Sequence, residues 1–377
     1  MSMQVSYKKQ ILLYFIFFLF ALGITEIFLK ITGLTDFQLQ CKFVEHELFK
    51  DKSFFEKRVM CDEYSTIGYD RNDVIQLLKE KHGKYLNINS DGFRGDEIDW
   101  NESKYRIFFL GGSTAFGIIS SNDELTIPAI LEKKLNENGI NANVINAGIP
   151  NSNSRDERYY IEKYIIKYSP NMIILYDGWN DSVPLRDNFT YDEFKKQPYY
   201  VNQMVPYEPI TKTGILTFFA KIDYKTGIGI SKYLSTLLNS QDADLGSNIN
   251  QEHLENFEDF LQNNWSEICK MSKEYDFKVI NILQPILGSG NRTISEYEKY
   301  SKIEFYNPYL WQFELNEEKY HPCENVFDLR DSFNDFDGVT IYFDNGHTSD
   351  FGNDVIAEKI YDKIFPIISK NKENNDS

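Results

Sequence analysis

The chain predicts an α/β fold in which a central parallel five-stranded sheet lies between two helical layers, preceded by one N-terminal transmembrane helix. Three observations carry this. Short apolar runs recur along the chain, as buried parallel strands require. Segments with apolar residues at helical spacing separate them. Glycine-rich or polar turns follow the runs, so strand, turn and helix alternate.

The first run is Tyr105-Arg106-Ile107-Phe108-Phe109-Leu110, followed by a helix near 126–138 in which Ile127, Ile130, Leu131 and Leu135 share one face. Ala142 to Asn146 reads as the second strand. Arg155 to Tyr168 follows as a helix whose inner face is Tyr160, Ile161, Tyr164, Ile165 and Tyr168. Asn171 to Tyr176 is the third strand. A long insertion at about 187–252 then interrupts the pattern, with Tyr199, Tyr200 and Tyr207 in its tyrosine-rich part. The alternation resumes with a helix near 253–275 and a strand over 277–283. It finishes with a short strand, Val339 to Phe343, and a helix from Ser349 to Ile364. Five strands in this arrangement fit a flavodoxin-like three-layer sandwich.

The N-terminus is of another kind. Lys8 and Lys9 precede an almost wholly apolar run from Ile11 to Ile24, which resumes after Glu26 and reaches Ile31. A cleaved signal peptide competes with a membrane-spanning helix, which needs roughly 20 residues. Resumption of the apolar run after Glu26 favours the anchor, and the two leading lysines favour a cytoplasmic N-terminus with the remainder exported. The expected layout is a 1–31 membrane anchor, a 32–87 extension and an 88–370 α/β domain carrying the insertion. A formal net charge of -17 with no basic cluster beyond the N-terminus repels phosphate backbones, so no nucleic acid partner is expected. Four cysteines suit two disulfides outside the cytoplasm, with Cys41–Cys61 and Cys269–Cys323 the expected pairing among three possible. No cysteine or histidine spacing suggests a metal.

Four turns after these strands carry the polar residues: Gly111-Gly112-Ser113-Thr114, Asn146-Ala147-Gly148-Ile149-Pro150-Asn151-Ser152, Asp177-Gly178-Trp179-Asn180-Asp181 and Asp344-Asn345-Gly346-His347. In a parallel sheet such turns leave the same edge, so residues far apart in sequence converge there. A serine hydroxyl becomes a strong nucleophile when a histidine takes its proton and a carboxylate orients that histidine. Ser113, His347 and Asp344 are the residues of those types. Taken singly, each block has a plainer reading as an ordinary turn. Gln284, after the fourth strand, borders the same edge. His46, His82, His253 and His321 stand in no comparable block and read as structural or surface residues.

These four blocks resemble those of the SGNH (GDSL-like) hydrolase family, from about Asn89 to Ile364. The resemblance implies that Ser113 is the nucleophile, His347 the general base and Asp344 its orienting acid. It also implies an oxyanion hole made by the backbone N–H groups of Ser113 and Gly148 and the Asn180 side-chain amide. The Gly-Phe-Arg-Gly stretch ahead of the first strand looks like membrane-anchored members. One departure is Gly112, where the family usually has Asp, which puts the hydrogen bonding around Ser113 in question. The implied activity is ester hydrolysis through an acyl-serine intermediate, with no cofactor and a glycan or lipid ester as substrate, an O-acetylated envelope glycan being the leading choice. The alternatives are an O-acyltransferase using the same serine and a non-catalytic glycan-binding envelope protein.

Overall fold

The computed structural model describes residues 6–31, 46–70, 76–182, 251–301 and 323–375. The chain divides into two units, one of residues 1–42 with 202–243 and one of residues 43–201 with 244–377. In the first, the described element is helix α1 (Tyr7–Ile31). Its stretch Tyr7–Phe28 has a mean hydropathy of 2.4 over 22 residues and none of it is buried. Apolar side chains are exposed on every face, from Ile11 and Leu12 to Phe20 and Ile27. Its length and composition suffice to cross a membrane, and a signal sequence meets the same criterion.

The second unit holds the sheet. Strands β1 (Tyr105–Gly111), β2 (Ala142–Asn146), β3 (Met172–Asp177), β4 (Lys278–Leu283) and β5 (Val326–Asp328) pair in the order β2-β1-β3-β4-β5, all parallel. This is the doubly wound order. Side chains alternate across it. Ile107, Phe109, Ile174, Tyr176, Ile280 and Ile282 join one core with helices α4 (Ile127–Glu137) and α8 (Asp350–Asn375). On the opposite face Phe108 packs with Phe93, Trp100 and Tyr168. Helices α5 (Ser154–Tyr160) and α6 (Gln251–Tyr275) complete the layers, with Trp265 of α6 fully buried. Each such side chain contributes about 1.5–3 kcal/mol on burial, so these seams supply most of the sheet's stability.

Local signals explain the helix limits. Thr126 caps α4 by accepting from the Ala129 N–H, and Pro128 sits in the first turn, where its missing N–H costs nothing. Asn153 caps α5 through bonds from the N–H groups of Arg155 and Asp156. The helix expected over Arg155 to Tyr168 runs its full length, but it widens into a π turn at Ile161–Ile165 and tightens at Ile166–Tyr168.

The fifth strand corrects the sequence reading. Val339 to Phe343 is not a strand of the sheet; that edge is taken by β5, three residues long and only half buried at Val326 and Phe327. Val339 to Phe343 has the composition of a strand, yet its polar backbone is satisfied by the Glu298 side chain and by the turn that follows it. Glu298, in helix α7 (Glu296–Ser301), accepts from the N–H groups of Ile341 and Tyr342 at 2.9 Å each. The Ile341 carbonyl accepts from the Ser349 N–H at 2.7 Å and Phe343 N–H donates to the His347 carbonyl at 2.8 Å. A segment so held needs no strand neighbour.

The Cys269–Cys323 disulfide is present and ties α6 to the approach of β5. Its expected companion involves Cys41, which lies outside the described residues, as do Tyr199, Tyr200, Tyr207 and nearly all of the insertion. Ahead of β1, helix α2 (Phe54–Ser65) and two short hairpins form the extension. Arg94 joins it to the sheet. Its buried guanidinium pairs with Asp123 at 2.7 Å and donates to the carbonyls of Phe116, Gly117 and Tyr85 and to the Tyr64 hydroxyl. Those bonds fix the turn that carries Ser113.

Candidate active site

Ser113 opens helix α3 (Ser113–Phe116), directly after β1 and Gly112. It is 7 % exposed. As the first residue of a helix, its backbone N–H has no partner within the helix and remains available to a ligand.

The Asp344–His347 loop reaches this hydroxyl from the far end of the sequence. The Ser113 Oγ lies 2.7 Å from His347 Nε2. The other ring nitrogen, Nδ1, lies 2.8 Å from Asp344 Oδ2 and 3.0 Å from Oδ1. Asp344 Oδ1 also accepts from the backbone N–H groups of Gly346 and His347, both at 2.9 Å. The carboxylate is thus fixed by the turn it begins, and it fixes the imidazole with Nδ1 protonated and Nε2 facing the serine.

The charges follow from these contacts. Burial works against an ionised Asp344, but the His347 imidazole and the two backbone donors outweigh it and hold its carboxyl well below the usual range. Burial likewise disfavours a charged His347, and the facing Asp344 carboxylate overcomes it, raising the imidazole above its ordinary 6.5.

Gly148 and Asn180 arrive from the turns after β2 and β3. At Gly148 an added Cβ would strike the Phe116 backbone, with Phe116 Cα at 2.8 Å and the Ala115 carbonyl carbon at 2.9 Å. Only glycine allows this turn to lie against α3. The Gly148 N–H donates to Asn146 Oδ1 at a long 3.2 Å. One Asn180 amide hydrogen is given to the Ser152 carbonyl at 2.6 Å, and a side-chain amide has a second to offer. The same amide explains Gly112. A Cβ there would collide with Asn180 Nδ2 and stand 3.2 Å from the Ser152 carbonyl, so no aspartate fits in this arrangement.

Below Asn180 lies a group of buried acids: Asp156 and Glu157 on α5, Asp177 at the end of β3 and Asp181. Asp181 accepts from Ser154 Oγ at 2.5 Å, Ser154 N–H at 3.1 Å and Gly178 N–H at 3.3 Å, which locks the turn on either side of Asn180. Asp177 accepts from the Trp265 indole at 2.7 Å. Burial, reinforced by the neighbouring acids, raises Glu157 and Asp177 above the usual carboxylate range, and burial raises Asp181 to about 6 against the hydrogen bonds from Ser154 and Gly178. Burial pushes Asp156 up to about 7 against the attraction of Arg155. Asp181 therefore supports the loop, as its place beside Asn180 in the sequence suggests.

Gln284 is buried, and its Oε1 accepts from Thr114 Oγ1 at 3.3 Å, one residue from the serine. His82 is exposed, and His321 lies outside the described residues. His46, read from the sequence as structural or surface, is buried beside the Asp344 loop, where its ring stacks on Phe343 at 4.4 Å between centroids. No local signal marks it, because its partners lie almost the whole domain away in sequence. Among the described residues no group of three or more His, Cys, Asp or Glu is placed to hold a metal ion.

No family model matches the chain and no curated protein matches its sequence. Among solved structures, the chain is similar to an acetyl xylan esterase at 14% identity, covering 68% of this chain and 98% of that one, with a TM-score of 0.38. It is similar also to the psychrotrophic esterase EstA from Pseudoalteromonas sp., at 13% identity over 71% of this chain and 100% of that one, TM-score 0.37. A third is an acetyl-xylooligosaccharide esterase from Geobacillus, at 14% identity over 69% of this chain and 94% of that one, TM-score 0.38.

Proposed function

We propose that this chain is a serine esterase of SGNH (GDSL-like) type, tethered by α1, that removes an O-acyl group through an acyl-serine intermediate. One observation carries the reading: the unbroken hydrogen-bond chain from Asp344 through His347 to Ser113 Oγ. Ser113 gives its proton to His347 Nε2 as it attacks the ester carbonyl. The imidazolium that forms faces the Asp344 carboxylate, whose charge stabilises it. The developing oxyanion takes the Ser113 N–H, the free Asn180 amide hydrogen and the Gly148 N–H, which leaves its long bond to Asn146 for a stronger charge-assisted one. His347 then protonates the departing alcohol, and water, deprotonated by the same imidazole, releases the acid. Every proton moves between protein groups, substrate and water.

The substrate proposed is an O-acetyl ester of a cell-envelope glycan. What supports it is placement: an N-terminal helix of spanning length after Lys8 and Lys9, and the Cys269–Cys323 disulfide, which suits an oxidising compartment. The detergent-purified chain is expected to release acetate from an acetylated polysaccharide, and Ser113→Ala to release none. Activity confined to long-chain lipid esters would refute the glycan assignment. Acetate appearing on an added sugar acceptor instead of in solution would make the chain an O-acyltransferase using the same serine.

A further inference from the structure

The segment that presents Asp344 has no strand beside it, so something else must hold it. The N–H groups of Ile341 and Tyr342 are taken by the Glu298 carboxylate, itself fixed by Arg292 at 2.6 Å and the Ser295 N–H at 2.8 Å. Its last carbonyl, that of Phe343, is one bond chain short of the Asp344 side chain. That carbonyl accepts from His46 Nε2 at 2.9 Å. His46 lies 297 residues upstream of it, in the extension ahead of the sheet.

We propose that His46 is a positioning residue for Asp344, clamping the Phe343 carbonyl and so setting where the carboxylate meets His347. The proposal rests on the triad reading above. Its geometry is over-determined. His46 Nδ1 accepts from the Leu48 N–H at 3.2 Å, so Nδ1 carries no proton and Nε2 must carry it, which is the tautomer the Phe343 carbonyl needs. The ring is packed against Phe343 at 4.4 Å and meets Tyr297 edge-on at 4.5 Å between centroids. A second bond from the extension lies alongside, Thr340 Oγ1 donating to Glu47 Oε2 at 3.3 Å.

Charged groups around His46 are Glu47, Glu298 and Asp344, each of which favours a protonated ring. Burial outweighs them and the bond to Phe343, keeping the imidazole below its ordinary 6.5 and neutral through the physiological range. Nε2 thus donates as a neutral group. A proton added at Nδ1 would face the Leu48 N–H and break that cap. The extension thereby becomes part of the active-site machinery.

The test compares wild type, His46→Phe and His46→Gln. Phenylalanine keeps the ring against Phe343 and loses the donor; glutamine can restore an N–H near the Nε2 position. The readouts are kcat and KM on p-nitrophenyl acetate and the titration midpoint of the His347 imidazole by NMR of the ring carbons. His46→Phe is expected to lose about tenfold in kcat, the scale of one buried hydrogen bond, with KM unchanged. Its His347 midpoint moves down toward 6.5, because a looser Asp344 raises it less. His46→Gln recovers both. A His347 midpoint unmoved in His46→Phe would overturn the proposal, as would a loss of activity explained wholly by a smaller folded fraction. A chain without ester activity whose His347 midpoint still responds to His46 would refute the esterase reading and leave the positioning role intact.

Discussion

Replacing Asp344 by asparagine tests the site at its most constrained atom. Asp344 Oδ1 accepts two backbone N–H groups at 2.9 Å, and a carbonyl oxygen can keep both bonds. The amide NH2 is then forced into the place of Oδ2, which lies 2.8 Å from His347 Nδ1. That sets a donor 2.8 Å from Nδ1–H, closer than the 3.0 Å to the carbonyl kept at Oδ1, and so favours the tautomer in which Nδ1 gives up its proton and becomes the acceptor. The proton moves to Nε2, 2.7 Å from Ser113 Oγ, where a base is needed and a donor is useless. A wrong-tautomer histidine costs about 10⁴-fold in kcat. At about 1.36 kcal/mol per decade that is about 5.4 kcal/mol of transition-state stabilisation. The assay is kcat/KM on p-nitrophenyl acetate across pH. Wild type should lose activity tenfold per pH unit on the acid side, with a midpoint above 6.5, since His347 acts only when neutral and Asp344 raises its pKa. Asp344→Asn, folded by circular dichroism, should show the large loss and a midpoint moved down. A loss under tenfold with an unchanged midpoint would refute the assignment of Asp344.

Three further outcomes follow from other parts of the fold. Gly112→Ala sets a methyl group against Asn180 Nδ2, and Gly148→Ala sets one against the Phe116 backbone. Each should lower kcat by about 10²–10³-fold, the worth of one oxyanion donor; melting temperature should change little in Gly112→Ala, where a side-chain amide can give way, and fall in Gly148→Ala, where backbone must move, and near-normal rates would remove that donor from the mechanism. The buried acids set a pH dependence of stability. A carboxyl whose folded pKa is raised binds more protons folded than unfolded, so stability falls as pH rises from near the ordinary 3.8 through about 7 for Asp156. Thermal melts should therefore be lower at pH 8 than at pH 5, with Glu157→Gln narrowing the gap; an unchanged gap would mean that Glu157 stays charged at both. Replacing Cys269 and Cys323 together by serine opens a cross-link spanning 54 residues and should cost about 2–4 kcal/mol in urea unfolding, against no change if the bond is not formed in the purified protein.

How much of this could be read from the sequence depends on how far each residue's partners lie. Strands β1, β3 and β4 were legible because central parallel strands are apolar on both faces, as Ile107 to Leu110 and Met172 to Tyr176 are, and the edge strand β2 through Val144 and Ile145. The edge strand β5 was not, being three residues long and half exposed. The run Val339 to Phe343 reads as that strand because Ile341, Tyr342 and Phe343 are buried as a strand's apolar residues would be, while Glu298, Ser349 and His347, not a neighbouring strand, satisfy its backbone. Ser113, His347 and Asp344 stood out because their types and turns announce one chemistry. His46 and Glu157 stayed silent, since each acts through a partner that only the fold brings near, and Arg94 showed only as part of its Gly-Phe-Arg-Gly stretch, without its partners. Gly112 looked like a defect in its block; the Asn180 amide lying against it accounts for the missing side chain.

The central claim is that Ser113 is an activated nucleophile, and the most direct measurement is covalent capture of that atom. Detergent-solubilised wild type, Ser113→Ala and His347→Ala are treated with a fluorophosphonate and the adduct is located by peptide mass spectrometry. The account predicts one adduct on wild type, on Ser113, with none on Ser113→Ala and little on folded His347→Ala. An adduct on another residue, or folded wild type unlabelled where a diffusible small fluorophosphonate is used, would contradict it.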